Sequence, residues 1–299
     1  MDTACMFLNN LSVVDHAYID QYGGIIGGSF NPSFLVEGDI DPIEKVVVDF
    51  STIKKDIKKI IDDRDYGFDH KLWFIEGFSQ GTCEIEDGRV NLETNHAILN
   101  LPLDAIKIIK GKNPSYETRW IGDVFAAHVR EHLLPKYKNI KVYCNNNIDA
   151  HLYDSRSKNI SYFSYVHGLK DSTSYGCQNI AHGHLSYVQL FSEQNQSPQV
   201  LGLQSKIASD LNGMIFIKHE NLIADTGSQF EIGYKTSQRG NFYAKIYGQR
   251  YIVLETETTI EFLADYIKNK YNKELIQVGC TSFFVSEGLS KGAYQQIAV

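Results

Sequence analysis

HGLKDSTSYGCQNIAHGHLSYVQLF, residues 167–191, places two histidines one residue apart, with Gly183 between His182 and His184. In an extended chain, residues i and i+2 point to the same face, so both imidazoles can reach one ion. His184 leads into LSYVQLF, which continues as a strand. His167 ends the preceding strand, and a hairpin brings it alongside. An HxH pair alone is often a hydrogen-bonded strand pair. A third histidine at hairpin distance and a nearby cysteine favour metal. Three neutral imidazoles with one open position form a catalytic type of zinc site, and the open position takes substrate oxygen or water. Cys177 lies in the connecting loop, five residues before His182. A thiol beside a dication and an imidazole can have a lowered pKa and act as base or nucleophile. On its own it would be a small loop hydrophobe.

Outward from this segment the chain reads as a diverged repeat. Residues 45–63, KVVVDFSTIKKDIKKIIDD, run from strand into helix, with Ile53, Ile57, Ile60 and Ile61 on one face. Asp69-His70-Lys71-Leu72 follows. In the second half VLGLQSKIASDL (200–211) is followed by Lys218-His219-Glu220-Asn221-Leu222. NPSYETRWIGDVFAAHV (113–129) resembles ETETTIEFLADYIKNKY (255–271), where Ile260, Leu263 and Ile267 form a helical stripe. IKVYCNNNIDAHLY (140–153) resembles FFVSEGLSKGAY (283–294), with Ala150 matching Ala293. A strand around Val13–His16 matches one around Tyr162–His167.

The expected class is therefore α+β: two tandem domains, 1–154 and 155–299, joined by the polar DSRSKN (154–159). Each is expected to be an antiparallel four-stranded sheet with two helices on one face. Residues 223–254 are unmatched and read as an extra hairpin.

Hydrophobic residues are 43% and charged residues 22% of 299, so each half can bury a core. The net charge of −7 argues against a nucleic-acid footprint. No run of 18 apolar residues predicts a membrane span, and the first residues lack a secretory pattern. The five cysteines are few, odd in number and widely spaced, which reads as reduced thiols in a cytoplasmic protein.

The ordered set His167, Cys177, His182-Gly183-His184, His219-Glu220-Asn221-Leu222, Thr259-Ile260-Glu261 and Ser286-Glu287-Gly288 resembles the 6-pyruvoyltetrahydropterin synthase and 6-carboxytetrahydropterin synthase family. The resemblance implies two tunnelling-fold domains and a pterin lyase acting on 7,8-dihydroneopterin triphosphate. Its product would be 6-carboxy-5,6,7,8-tetrahydropterin, the queuosine biosynthesis route, or 6-pyruvoyltetrahydropterin. It implies Zn2+ on His167, His182 and His184, and Cys177 as the proton-abstracting base. An Asp-His pair would assist proton transfer, with His219 as the histidine in the second copy. Glu287 would anchor the pterin ring, with Thr259 and Glu261 contributing to substrate binding. It also implies a homo-oligomer, a trimer or dimer of trimers.

The departures sharpen these expectations. Lys218 stands where the family has the Asp of Asp-His, and a cation there could bind a substrate phosphate. The first copy keeps the pair as Asp69-His70. It also keeps His16, but has Gly28-Ser29-Phe30 in place of HGH and Cys144 in place of the anchoring glutamate. It cannot build this zinc site. Either Asp69 and His70 complete the second copy's site across an interface, or they make a local hydrogen bond. A different class also stands: a non-catalytic zinc-containing protein that binds pterin or purine.

Overall fold

Hydrophobic periodicity and caps place the helices where the sequence puts them. Helix α1 (Phe50–Ile61) starts at Asp49, whose carboxylate accepts from the Thr52 backbone N–H, and buries Ile53, Ile57, Ile60 and Ile61. The computed structural model describes residues 3–22, 24–146, 159–192 and 197–297. The joining segment 154–158 and Ala150 lie outside them. Residues 46–48 are not a strand.

The first half opens with β1 (Thr3–Leu8), β2 (Val14–Asp20), β3 (Gly24–Phe30) and β4 (Pro32–Asp39). After α1 come β5 (Lys71–Ile75), β6 (Gly81–Glu86), β7 (Arg89–Thr94), β8 (Ala97–Pro102) and β9 (Ile106–Ile109). Helix α2 (Thr118–Leu133) and β10 (Lys141–Asn146) follow. The second half runs β11 (Ser161–His167), β12 (His182–Ser192), α3 (Pro198–Leu211), β13 (Met214–Lys218), β14 (Leu222–Asp225), β15 (Gln229–Thr236), β16 (Gly240–Tyr247) and β17 (Tyr251–Leu254). It ends with α4 (Ile260–Lys270), α5 (Asn272–Gln277), β18 (Cys280–Glu287) and β19 (Lys291–Gln296).

The fold is mixed α/β, with extensive sheet and few helices. The sheets depart from the simple antiparallel expectation. In the second half the order is β17-β13-β11-β12-β18-β19, and both β11–β13 and β13–β17 are parallel. In the first half β3-β2-β5-β9 has the same pattern, with β2–β5 and β5–β9 parallel. The physical reason is the helix between β12 and β13: a long crossover returns the chain beside β11 in the same direction. Strands β1, β4 and β10 form a separate sheet.

The insert is more than a hairpin. Strands β14, β15 and β16 join a sheet of order β14-β15-β16-β8-β7-β6, three strands from each half, while β17 pairs with β13. The seam pairs Tyr243 with Asn100 and Ile246 with Ala97. Asp87-Gly88 makes the two-residue turn between β6 and β7, both at positive φ as a type I′ turn requires. One hydrophobic cluster draws on both halves, with Leu72, Leu92 and Leu99 against Val166, Ile215 and Phe230. Each half also has a cluster of its own.

Between the halves, β3 crosses β12 at two glycines. A Cβ on Gly27 would lie 2.0 Å from the Tyr165 carbonyl oxygen, and one on Gly183 would lie 2.7 Å from the Gly27 Cα. Only glycines allow the backbones to approach this closely. Among the described residues no helix is long and apolar enough to cross a membrane.

Candidate metal centre

The β11–β12 hairpin sets His167 directly opposite His182 and Tyr165 opposite His184. The three imidazoles are buried, and each offers a ring nitrogen within 4.8 Å of the others. His182 donates from Nδ1 to the Asn179 carbonyl at 2.8 Å, and His167 donates from Nδ1 to the Thr258 carbonyl at 2.8 Å. The His184 Nδ1 stands 3.2 Å from Asp15 Oδ2, an ion-pair distance off the ideal hydrogen-bond line. With Nδ1 donating to carbonyls, His167 and His182 leave their Nε2 lone pairs for a ligand, and His184 does the same when its Nδ1 carries the proton toward Asp15. His167 Nε2 and His184 Nε2 face each other at 3.1 Å, and buried His182 Nε2 has no hydrogen-bond partner. Bare lone pairs in such a cluster repel unless a cation sits among them. The donor set therefore fits a divalent transition metal such as zinc. Burial, reinforced by His184, pushes the His167 pKa down to about 3. Burial and His167 hold His182 well below its ordinary value. Both are neutral at pH 7, the state in which imidazole binds metal.

Cys177 lies in a short helical turn, Gly176–Gln178. The first half brings Asp69 and His70 to it. His70 donates from Nδ1 to Asp69 Oδ2 at 2.7 Å, and His70, Cys177 and His182 form a second group with ligand atoms within 4.8 Å. Burial works against charge on His70, but the Asp69 carboxylate and the Cys177 thiol outweigh it and raise its pKa well above normal. For Cys177 burial also opposes ionisation, yet hydrogen bonding and charge from His70 bring the pKa below the ordinary thiol value. The two shifts run in the directions that favour a thiolate–imidazolium pair.

The joint sheet and its connections fix the Cys177 loop. Arg239 donates from Nη1 to the Tyr175 carbonyl at 3.1 Å and from Nη2 to Asp104 at 3.2 Å. The Tyr175 hydroxyl also reaches Asp104, and its ring carries the Arg64 and Arg239 guanidiniums at 4.3 and 4.7 Å. Asn179 donates to the carbonyls of His70 and Ala105.

Glu287 closes the other side. Its Oε1 is 3.9 Å from His184 Nε2, and Oε2 pairs with Lys291 at 2.9 Å. Burial raises the Glu287 pKa, but His184, His167 and Lys291 together bring it below normal. It stays an anion facing the imidazoles, able to accept paired N–H donors.

Other expected residues stand apart. His219 is 64% exposed and faces Glu255 at 3.8 Å. Lys218 is held by Glu257 at 2.6 Å and Glu220 at 2.9 Å, so it is no free phosphate-binding cation. Glu261 is exposed in the first turn of α4, and Thr259 occupies the cap position without a side-chain cap bond. It is Thr258, its neighbour, that meets His167.

The matching place in the first half is filled. His16 stacks on Trp73 at 3.5 Å and accepts from the Tyr116 hydroxyl at 2.6 Å. A Cβ on Gly28 would come within 2.4 Å of that hydroxyl. Cys144 is buried in the first-half core. Spacing and pattern assign no role to Asp15, Thr258, Asn179 or Arg239. Asp15 alone carried a usable signal, as an acid flanked by Val14 and His16 in a strand.

No protein-family model and no curated protein matches the chain. Among solved structures, a catalytic-residue mutant of Plasmodium vivax 6-pyruvoyltetrahydropterin synthase is 16% identical, covers 49% of this chain and 100% of its own, and has a TM-score of 0.37. The Plasmodium falciparum 6-pyruvoyl tetrahydropterin synthase is 20% identical over 47% of this chain and 90% of its own, at 0.35. The uncharacterized protein WS1659 from Wolinella succinogenes is 13% identical over 46% and 96%, at 0.32.

Proposed function

We propose that the chain is a zinc-dependent lyase acting on 7,8-dihydroneopterin triphosphate, with one site per chain built by both halves. One observation carries the reading: the Cys177–His70–Asp69 array stands against three buried imidazoles whose Nε2 atoms converge. His167, His182 and His184 would hold the metal, which when bound polarises a side-chain oxygen of the substrate and acidifies the adjacent C–H. The Cys177 thiolate takes that proton. His70, held by Asp69, stabilises the thiolate beforehand and receives or returns protons afterwards. Glu287 accepts N–H donors from the pterin edge and fixes which carbon faces the thiol. Loss of triphosphate, or carbon–carbon cleavage on the carboxy route, follows.

Asp69 and His70 take the role that the resemblance implies for His219, and they do so within one chain. The two domains 1–154 and 155–299 then act as unequal partners. Assembly into a trimer or dimer of trimers belongs to the same proposal. The test is to measure metal content, expected near one zinc per chain, and to follow triphosphate release from 7,8-dihydroneopterin triphosphate. Tight pterin binding with no release sinks the lyase and leaves a zinc-containing pterin-binding protein. Two zinc ions per chain contradict the account of the first half.

A further inference from the structure

Asp15 is a buried carboxylate of the first half. Its Oδ2 faces His184 Nδ1 at 3.2 Å. Its Oδ1 accepts from Ser29 at 2.5 Å, and Ser29 in turn receives the Leu185 backbone N–H at 3.0 Å. The Asp15 backbone ties to the proton-relay pair: its N–H donates to Asp69 at 3.0 Å, and its carbonyl accepts from the His70 N–H at 2.6 Å. Space for the carboxylate is reserved by Gly288, where a Cβ would lie 2.5 Å from Oδ1. Strand register gives the contrast. His16 faces Gly28 as His167 faces His182, so the second half's counterpart of Asp15 is Val166.

His167 and His182 take their Nδ1 partners from carbonyls of their own half. The oxygen that faces His184 Nδ1, Asp15 Oδ2, comes from the other half. We infer that Asp15 is a positioning residue for the metal centre, holding His184 in the tautomer that presents Nε2 to a divalent transition cation, with Ser29 fixing the carboxylate. This rests on the reading that the three imidazoles bind zinc. It gives the degenerate half a second task, distinct from supplying Asp69 and His70.

The test uses the full chain with Asp15→Asn, Asp15→Ala and Ser29→Ala, and zinc alone as probe. Zinc affinity is read by competition with a chromophoric chelator, beside metal stoichiometry and the melting temperature of the metal-free chain. Outer partners of this kind are worth about 10- to 100-fold in metal affinity. Both Asp15 variants are expected to lose affinity in that range, and Ser29→Ala by several-fold, with one zinc per chain retained at saturation. The 15N shifts of the His184 ring should move in the Asp15 variants, a change that general loosening does not produce. If Asp15→Ala fails to fold, Asp15→Asn and Ser29→Ala carry the comparison. Affinities within threefold of the parent chain, with His184 shifts unmoved, overturn the assignment. A parent chain that binds no zinc overturns the metal centre itself.

Discussion

Replacing Gly27 with alanine tests how closely the site depends on the crossing of β3 over β12. The added Cβ would stand 2.0 Å from the Tyr165 carbonyl oxygen, 2.7 Å from the His184 nitrogen and 2.8 Å from the His184 oxygen. Ordinary contact begins near 3.4 Å, so the strands must separate by more than an ångström. All three obstacles are backbone, so no side chain can swing aside. Overpacking of this kind costs about 1–3 kcal/mol, and a backbone obstacle puts Gly27→Ala at the upper end. For a chain of this size, about 3 kcal/mol lowers Tm by roughly 5 °C. Because His184 is displaced with its strand, zinc affinity falls as well. Thermal unfolding with and without zinc reads both effects. A Tm within 2 °C of the parent, with unchanged zinc binding, would refute the reasoning that the glycines are fixed by backbone contact.

Other outcomes follow from the same geometry. His70→Asn removes the partner that brings the Cys177 pKa down, so alkylation of Cys177 at pH 7 should slow by about tenfold and its pH midpoint should rise; an unchanged pH profile argues against the pair. A double Asp69→Ala, His70→Ala variant that keeps full turnover and zinc ends the shared-site reading. Burial first of all holds His16 down to about 3, so between pH 6.5 and 3 the unfolded chain binds a proton that the folded chain refuses. Its contribution to stability is complete above pH 6.5 and falls on acidification, by roughly 2 kcal/mol at pH 5. Denaturant unfolding of the parent and His16→Asn at pH 7 and 5 should show their difference shrinking by that amount; a constant difference rules it out. Gly202 lies exposed in α3 with nothing within 4 Å of an added Cβ, so Gly202→Ala should stabilise by about 0.5–1 kcal/mol in the same assay.

The helices were legible because their signal is local. Ile53, Ile57, Ile60 and Ile61 share a face at any tertiary arrangement, and that face is the buried one. The imidazole cluster was legible for the same reason: alternation along a strand and one hairpin suffice to gather His167, His182 and His184. The parallel pairings were not, since alternation within a strand does not say which neighbour it chooses. The shared sheet was hidden too. Residues 223–254 read in sequence as an extra hairpin, and the edge that β16 shares with β8 is a non-local pairing. Lys218 shows another limit. A lone cation in sequence is free to bind phosphate, but here Glu220 and Glu257 already occupy it. Asp15 and Thr258 act on histidines more than ninety residues away in sequence, a distance over which spacing carries no information.

The seam between β8 and β16 bears on how the chain matures. Arg89 donates to the Asn241 carbonyl, 152 residues further on. During synthesis from the N-terminus, β8 emerges long before its neighbour and presents an open row of backbone donors and acceptors, a template for unwanted pairing. Closure over so long a separation is slow. A nascent or truncated first half is therefore the aggregation-prone species of this protein, and co-expression of residues 159–299 should rescue its solubility.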